Sequence, residues 1–322
     1  MHATKSVQLK PSTSALTDRF GFSYTRVGKL RFALPARLEI PQQANPTVIH
    51  LISKWNEKRR ARRRKRHGGL YSDANGYPLD MNSDSVETIQ RVREFTMTTP
   101  ERLNGLCEAV RYISSAGIPG DVVECGVWKG GSMMAVAEML KQFGDTHREL
   151  YLFDTYEGMP APTDEDVSLV GQSASERLQQ ELAVDPSTLW CESPLDEVRH
   201  HMAKTGYPTD RTHFVKGMVE DTIPENAPQE IALLRLDTDW YESTLHEMNH
   251  LFPRLVDGGV LIIDDYGHWQ GARQAVDEYL AEHNIAIMLN RLDYTGRIGI
   301  RHAGVHQVRN LQGHPGQRAQ AA

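Results

Sequence analysis

Asp121-Val122-Val123-Glu124-Cys125-Gly126-Val127-Trp128-Lys129-Gly130-Gly131-Ser132 is the stretch on which the fold turns. Its first residues read as a buried strand, its glycines as a tight loop, and the sequence from 130 to 142 as a helix. Strand, glycine loop and helix in that order make the opening of an α/β unit. The alternation continues downstream. Strands are expected at 121–125, 149–153, 213–216, 231–237, 259–264, 285–289 and 297–301, with helices near 130–142, 173–184, 194–205, 241–252 and 268–283. Upstream, Val86, Ile89 and Val92 share one face of a short helix. Thr99 then offers an N-cap before Pro100, and Leu103, Leu106, Val110 and Ile113 form the apolar stripe of the next helix. The expected fold is α/β, a seven-stranded, mostly parallel sheet with helices on both faces. Only Asn290 to Gly296 separates the last two strands, too few residues for a parallel crossover, so these should pair antiparallel at the edge.

Three of the strands run into acids: Glu124, then Asp237 and Asp239 after Leu236, then Asp264 and Asp265 after Ile263. In an open parallel sheet the carboxyl ends of the strands line the ligand crevice. The acids therefore converge, and their repulsion must be relieved by a proton, a cation or a cationic ligand. Asp237, Asp239, Asp264 and Asp265 form an oxygen-rich set that suits a hard cation such as Mg²⁺. Two competing readings stand beside this one. The acids could cap the helices starting near Glu242 and His268, or Arg235 could neutralise one of them. His268 lies beside the cluster as a candidate base.

The loop after the first strand lacks GxGxxG spacing, which disfavours a dinucleotide, and its acid disfavours a pyrophosphate. It suits a ligand bearing an amine, such as the aminoacyl end of S-adenosylmethionine; an ordinary βα turn is the alternative. Asp154, with Thr155 behind it, ends the next strand, where an acid accepts the two hydroxyls of a nucleoside ribose; a turn-forming Asp is the plainer reading. Met218 and Asp221 follow the third strand, where an apolar side chain could cover a purine and a polar one could meet its edge. The acidic stretch from Thr163 to Asp166 reads as a lid or as a plain surface loop.

Composition narrows the classes. The chain has 322 residues, 39% hydrophobic and 24% charged, in the range of a soluble globular protein. It has no run of about 18 apolar residues, so no membrane span is expected. Met1 to Phe20 lacks an apolar h-region, so no secretory signal is expected. Cys107, Cys125 and Cys191 are widely spaced and read as free thiols of a cytoplasmic protein. Eight of the nine residues from Lys58 to Arg66 are cationic although the whole chain carries −6, so the remainder is distinctly acidic and nucleic acid is disfavoured as a partner. Residues 1–82 are expected to form an extension that includes this basic run and docks as a lid or against another subunit, in a homo-oligomer of two or more. A helix from Thr47 to Arg66 is expected within it. The main domain should span 83–305 and a flexible tail 306–322.

Taken together, these motifs resemble the macrocin O-methyltransferase family, the metal-dependent sugar O-methyltransferases of antibiotic pathways. The likeness covers roughly residues 85–300. It rests on Thr96-Met97-Thr98-Thr99-Pro100-Glu101-Arg102, on Glu124 to Ser132, on Phe153-Asp154-Thr155-Tyr156-Glu157-Gly158-Met159-Pro160, on Leu236-Asp237-Thr238-Asp239-Trp240-Tyr241-Glu242-Ser243-Thr244, on Asp264-Asp265-Tyr266-Gly267-His268-Trp269 and on Ala275-Val276-Asp277-Glu278-Tyr279. The resemblance implies a class I methyltransferase sheet, S-adenosylmethionine as donor and Mg²⁺ as metal. It implies Asp237, Asp264 and Asp265 as metal ligands and Asp239 as general base. Glu124, Gly126 and Ser132 match the methionine-end loop, Asp154 the ribose acid, and Met218 and Asp221 the neighbourhood of the adenine. The acceptor it implies is a glycoside or polyol hydroxyl, and adjacent hydroxyls would chelate a metal best. Methylation of a catechol or other non-sugar diol would use the same site.

Overall fold

The computed structural model describes residues 72–73, 76–184 and 190–302. The chain divides into two compact units, Met1–Gly76 and Tyr77–Ala322. Of the first, only 72, 73 and 76 are described, with the Gly76 N–H donating to the Asp73 carbonyl at 3.1 Å. The basic run at 58–66, the helix expected over 47–66 and the tail expected from 306 lie outside the described residues.

The second unit opens at Tyr77, whose side chain is already buried in the core. Its helices are α1 (Ser83–Val92), α2 (Pro100–Ser115), α3 (Gly131–Gln142), α4 (Ala174–Val184), α5 (Leu195–Ala203), α6 (Val219–Thr222), α7 (Tyr241–His250) and α8 (Gln270–Glu282). Its strands are β1 (Asp121–Cys125), β2 (Leu150–Asp154), β3 (Thr212–Lys216), β4 (Ile231–Leu236), β5 (Leu255–Ile263), β6 (Asn290–Arg291) and β7 (Arg297–Ile300). They form one sheet in the order β3-β2-β1-β4-β5-β7-β6. β3, β2, β1, β4 and β5 run parallel to one another, and β7 is antiparallel to both β5 and β6. At α2 the sequence cues act as read: Thr99 Oγ1 accepts the Arg102 N–H at 3.3 Å and Pro100 takes the first helical position.

The central strands are apolar on both sides because helices cover both faces. Val122, Leu150, Leu152, Leu233, Val260 and Ile262 pack with Ile89, Leu103, Met133 and Val198 of α1, α2, α3 and α5. Their alternate neighbours Val123, Phe153, Leu234, Leu261 and Ile263 pack with Val219, Met248 and Val276 of α6, α7 and α8. Period-two alternation thus divides one apolar sequence between two cores.

One expected strand is misplaced. No strand forms over 285–289; pairing is limited to Asn290 and Arg291 opposite Ile298 and Arg297. Ile285, Ile287 and Leu289 nevertheless pack on the core. Their alternation reports burial of one side of an extended segment, and not a hydrogen-bonded ladder. Among the described residues no helix is long and apolar enough to cross a membrane.

Candidate active site

A cavity of about 550 Å³ opens at the carboxyl ends of β1, β2, β4 and β5. Gly126, Ser132, Asp154, Thr155, Met218, Asp237, Asp239, Asp264, Asp265 and His268 all line it. Glu124 and Asp221 do not. Glu124 is buried beneath the loop, and Asp221 is exposed on α6 while its neighbour Glu220 faces the cavity.

At one end, β1 passes through Gly126 (φ 80°) into α3. A Cβ on Gly126 would collide with the Asp237 carbonyl oxygen, so the loops after β1 and β4 can meet only with glycine here. Asp154 holds this loop from β2. Its Oδ2 accepts the Val127 and Trp128 N–H groups at 2.6 and 3.0 Å, and its Oδ1 accepts the Tyr156 N–H at 2.7 Å. A carboxylate has about four acceptor sites, so Asp154 combines a structural clamp with capacity for one further donor. Burial raises its pKa, opposed by those amide bonds.

The floor is Arg235, buried near the end of β4. Its Nη1 lies 2.5 Å from Glu124 Oε1 and 2.7 Å from Asp237 Oδ2, and its Nη2 lies 2.6 Å from Asp264 Oδ1. The parallel register puts Arg235 beside Glu124 on the neighbouring strand, so this contact follows from sheet pairing. Arg102 of α2 pairs with the other oxygen of Asp264 and with Asp293. Burial outweighs the attraction of Arg235 and pushes the Glu124 carboxyl up to about 8; its Oε2 is buried with no partner.

Above this floor the acids crowd. Asp237, Asp264 and Asp265 each offer a carboxylate oxygen, and the three lie within 4.8 Å of one another. Asp239 stands beside them at φ 67°, its Oδ1 accepting the Trp269 Nε1–H at 2.7 Å. Burial, reinforced by the charge of Asp237, pushes the Asp239 carboxyl up to about 7. Burial followed by the charges of Asp239 and Asp237 drives Asp265 well above the carboxylate range, and its Oδ2 is buried without a partner. Neither helix α7 nor α8 is capped by these acids: the residues before them are Trp240 and Trp269, with no side-chain cap bond. The Arg235 reading holds, yet two guanidinium groups face five carboxyls. An oxygen-only donor set with a surplus of negative charge and a buried unpartnered oxygen fits a hard divalent cation such as Mg²⁺. Asp264 can join it only by sharing oxygens already bonded to arginine.

His268 is packed edge-on to Trp269 with ring centroids 4.8 Å apart, and burial, then Arg177 and Arg102, lowers its pKa. The acidic stretch at 163–166 is no loose lid at its end. Asp166 is fully buried, accepting the Thr163 N–H at 2.7 Å and the Tyr241 N–H at 3.0 Å, so it anchors the loop to the start of α7. Three lining residues give no strong signal in the sequence. Arg102 lies inside a quoted motif, but its acid partners are far along the chain. Trp190 shields the cavity from α4, donating to Glu181 at 2.5 Å under the Arg177 guanidinium. Glu220 is one residue from Asp221, the acid that the sequence pattern favours.

The family described as Macrocin-O-methyltransferase (TylF) matches residues 77–298. The chain is 35% identical over 217 residues (67% of this chain, 78% of the relative) to the 8-demethyl-8-(2,3-dimethoxy-alpha-L-rhamnosyl)-tetracenomycin-C 4'-O-methyltransferase of Streptomyces olivaceus. It is 33% identical over 201 residues (62% of this chain, 76% of the relative) to the mycinamicin III 3''-O-methyltransferase of Micromonospora griseorubida. Among solved structures it is similar to the O-methyltransferase NovP, with a TM-score of 0.57 and 30% identity, over 65% of this chain and 82% of that one. With the class I sheet and its acid-lined crevice in place, the chain belongs to the macrocin O-methyltransferase family and is an O-methyltransferase.

Proposed function

We propose that the protein transfers the methyl group of S-adenosylmethionine to a sugar hydroxyl of a secondary-metabolite glycoside, with Mg²⁺ held by Asp237, Asp264 and Asp265. The observation that carries this reading is the meeting of those three carboxylates in one cavity with the Gly126 loop. One of the two relatives named above acts, by its name, on a rhamnosyl-bearing tetracenomycin, which supports a glycoside acceptor. Bound at the acids, Mg²⁺ would lower the pKa of a coordinated hydroxyl and orient it, an effect greatest for one of two adjacent hydroxyls.

The chain's own residues supply the rest. Asp239, with Oδ1 fixed by Trp269, takes the hydroxyl proton on Oδ2, and its raised pKa brings it near the working range of a general base. Gly126, Ser132, Asp154, Thr155 and Met218 line the donor end. Glu124 acts from below, through Arg235, which holds Asp237 and Asp264 in place. Trp190 and Trp269, backed by the buried Trp240, wall the acceptor side and exclude water. The test is methyl transfer from S-adenosylmethionine to rhamnosylated polyketide and macrolide glycosides, with and without EDTA. A methylated product that disappears with EDTA and returns with Mg²⁺ is expected. Turnover that ignores EDTA overturns the metal assignment, and absence of S-adenosylhomocysteine release overturns the donor.

A further inference from the structure

Asp239 occupies a strained turn that is tied on one side to a fully buried acid, Glu247. The Trp240 N–H donates to the Thr238 carbonyl at 2.8 Å across Asp239, whose φ is 67°. A bond from residue i to i+2 over a positive φ is the rare, strained form of the γ-turn. Such a conformation persists only where its surroundings over-determine it. Beyond the turn, Trp240 is buried and its Nε1–H donates to the Pro160 carbonyl at 3.1 Å. Ahead of it, the Thr238 hydroxyl donates to Glu247 Oε2 at 3.2 Å. Glu247 lies in the second turn of α7, where side chains lean toward the helix N-terminus and so toward the loop that precedes it. It has no exposed surface, its Oε1 has no hydrogen-bond partner, and the Cys125 thiol at the end of β1 lies beside it. An acid buried in this way is costly, and its one firm bond goes to the residue between Asp237 and Asp239.

We propose that Glu247 is a positioning residue for methyl transfer: through the Thr238 hydroxyl it holds the turn from which Asp239 reaches the acceptor. This rests on Asp239 being the base. Trp269 fixes the Asp239 side chain at Oδ1, and Glu247 fixes the backbone that carries it. Without the Thr238 bond the turn relaxes and Asp239 Oδ2 leaves the path of the hydroxyl proton. Asp237 stays in place, its side chain held by Arg235 and its N–H by the Cys125 carbonyl. The loss should therefore fall on turnover and not on binding.

Steady-state methyl transfer to a rhamnosylated polyketide, beside calorimetric titration with S-adenosylhomocysteine, tests this on full-length variants. Glu247→Leu is expected to lower kcat at least ~10-fold, with the acceptor KM and S-adenosylhomocysteine affinity within about threefold of wild type. Thr238→Val removes the donor of the same bond and should lower kcat by a similar factor; the double variant should lose no more than either single one. Burial raises the Glu247 carboxyl well above its ordinary pKa, so Gln matches both its shape and its lack of charge. Glu247→Gln should therefore recover kcat to within about threefold of wild type. Thr238→Val carries the test if Glu247→Leu does not fold. Full kcat in Thr238→Val, or losses that multiply in the double variant, overturn this inference and leave Asp239 as the base. A Glu247→Gln variant as slow as Glu247→Leu overturns it as well. Wild-type turnover in Asp239→Asn overturns the base assignment along with it.

Discussion

Arg148 and Arg235 are both buried guanidinium groups, set at opposite ends of the same sheet. Arg148, at the amino ends of β1 and β2, meets one acid. Its Nε donates to Asp145 Oδ2 at 2.7 Å, its Nη1 to the Gly120 carbonyl at 2.6 Å and its Nη2 to the Ile113 carbonyl at 3.4 Å. Asp145 is further held by the Ser114 hydroxyl at 2.7 Å. Arg235, at the carboxyl ends, touches Glu124, Asp237 and Asp264, with Asp239 and Asp265 crowded behind. A balanced pair accounts for itself as structure. A surplus of buried acid is a standing cost that folding alone does not explain, and it marks the end of the sheet where chemistry is done.

The sharpest way to break this contrast is to remove one acid from each end. Asp239→Asn should cut kcat by about two to four orders of magnitude, the range for loss of a general base, while thermal stability stays level or rises because repulsion is relieved. Asp145→Asn should do the opposite. It leaves Arg148 buried without its counter-charge, at about 3–5 kcal/mol, and leaves kcat per folded molecule within about twofold of wild type. Steady-state kinetics beside urea unfolding separate the two. A stability loss in Asp239→Asn without loss of turnover would erase the distinction.

Removing the arginines sharpens it further. Arg235→Met strips Glu124 and Asp237 of the guanidinium that both contact, whereas Asp264 keeps Arg102. About 3–5 kcal/mol of destabilisation is expected, recovered in part by the double variant Glu124→Gln/Arg235→Met. If the second change recovers nothing, Glu124 is not the acid that Arg235 neutralises.

A smaller contrast lies in the glycines beside each arginine's end of the sheet. Gly126 and Gly144 both have positive φ, at 80° and 68°. A Cβ on Gly126 meets the Asp237 backbone, whereas one on Gly144 meets nothing within 4 Å. Gly144→Ala should therefore cost only the conformational term, about 1–2 kcal/mol. Gly126→Ala adds a backbone collision and should also weaken S-adenosylhomocysteine binding. Equal unfolding midpoints for the two would mean that the loops after β1 and β4 are not locked together.

Most of this architecture is legible in the amino-acid sequence. Apolar runs of four to six residues between helical periods fix an α/β sheet, and strand carboxyl ends share an edge, so the convergence of Glu124, Asp237 and Asp264 follows from topology. What stays hidden is what depends on register and on helical phase. That Arg235 neutralises Glu124 depends on β1 and β4 being neighbours in a particular register. That Glu220 and not Asp221 faces the cavity is a matter of about 100° of helical rotation. The edge at 285–289 departs from expectation because one-sided burial and strand pairing leave the same alternating pattern.

The two ends should also answer pH with opposite sign. Asp145 is held below the ordinary carboxylate value, its bonds to Arg148 and Ser114 outweighing the opposing effect of burial. Its contribution is present above the unfolded value of 3.8 and is lost as the pH falls through the lower folded value. Glu124 is raised from 4.5 to about 8. Between those values the native state holds a proton that the unfolded chain has released, so stability declines as the pH rises across that window. In EDTA, the unfolding midpoint should fall by roughly 6–12 °C between pH 5.5 and 8, about 3 kcal/mol at ~2–4 °C per kcal/mol. Glu124→Gln should reduce that slope, leaving the part owed to the raised Asp239 and Asp265, while Asp145→Asn leaves it and alters only the acid limb below about pH 4. A pH slope that Glu124→Gln leaves unchanged would mean that Arg235 keeps Glu124 ionised throughout, and the negative charge at the cleft would then be larger by one.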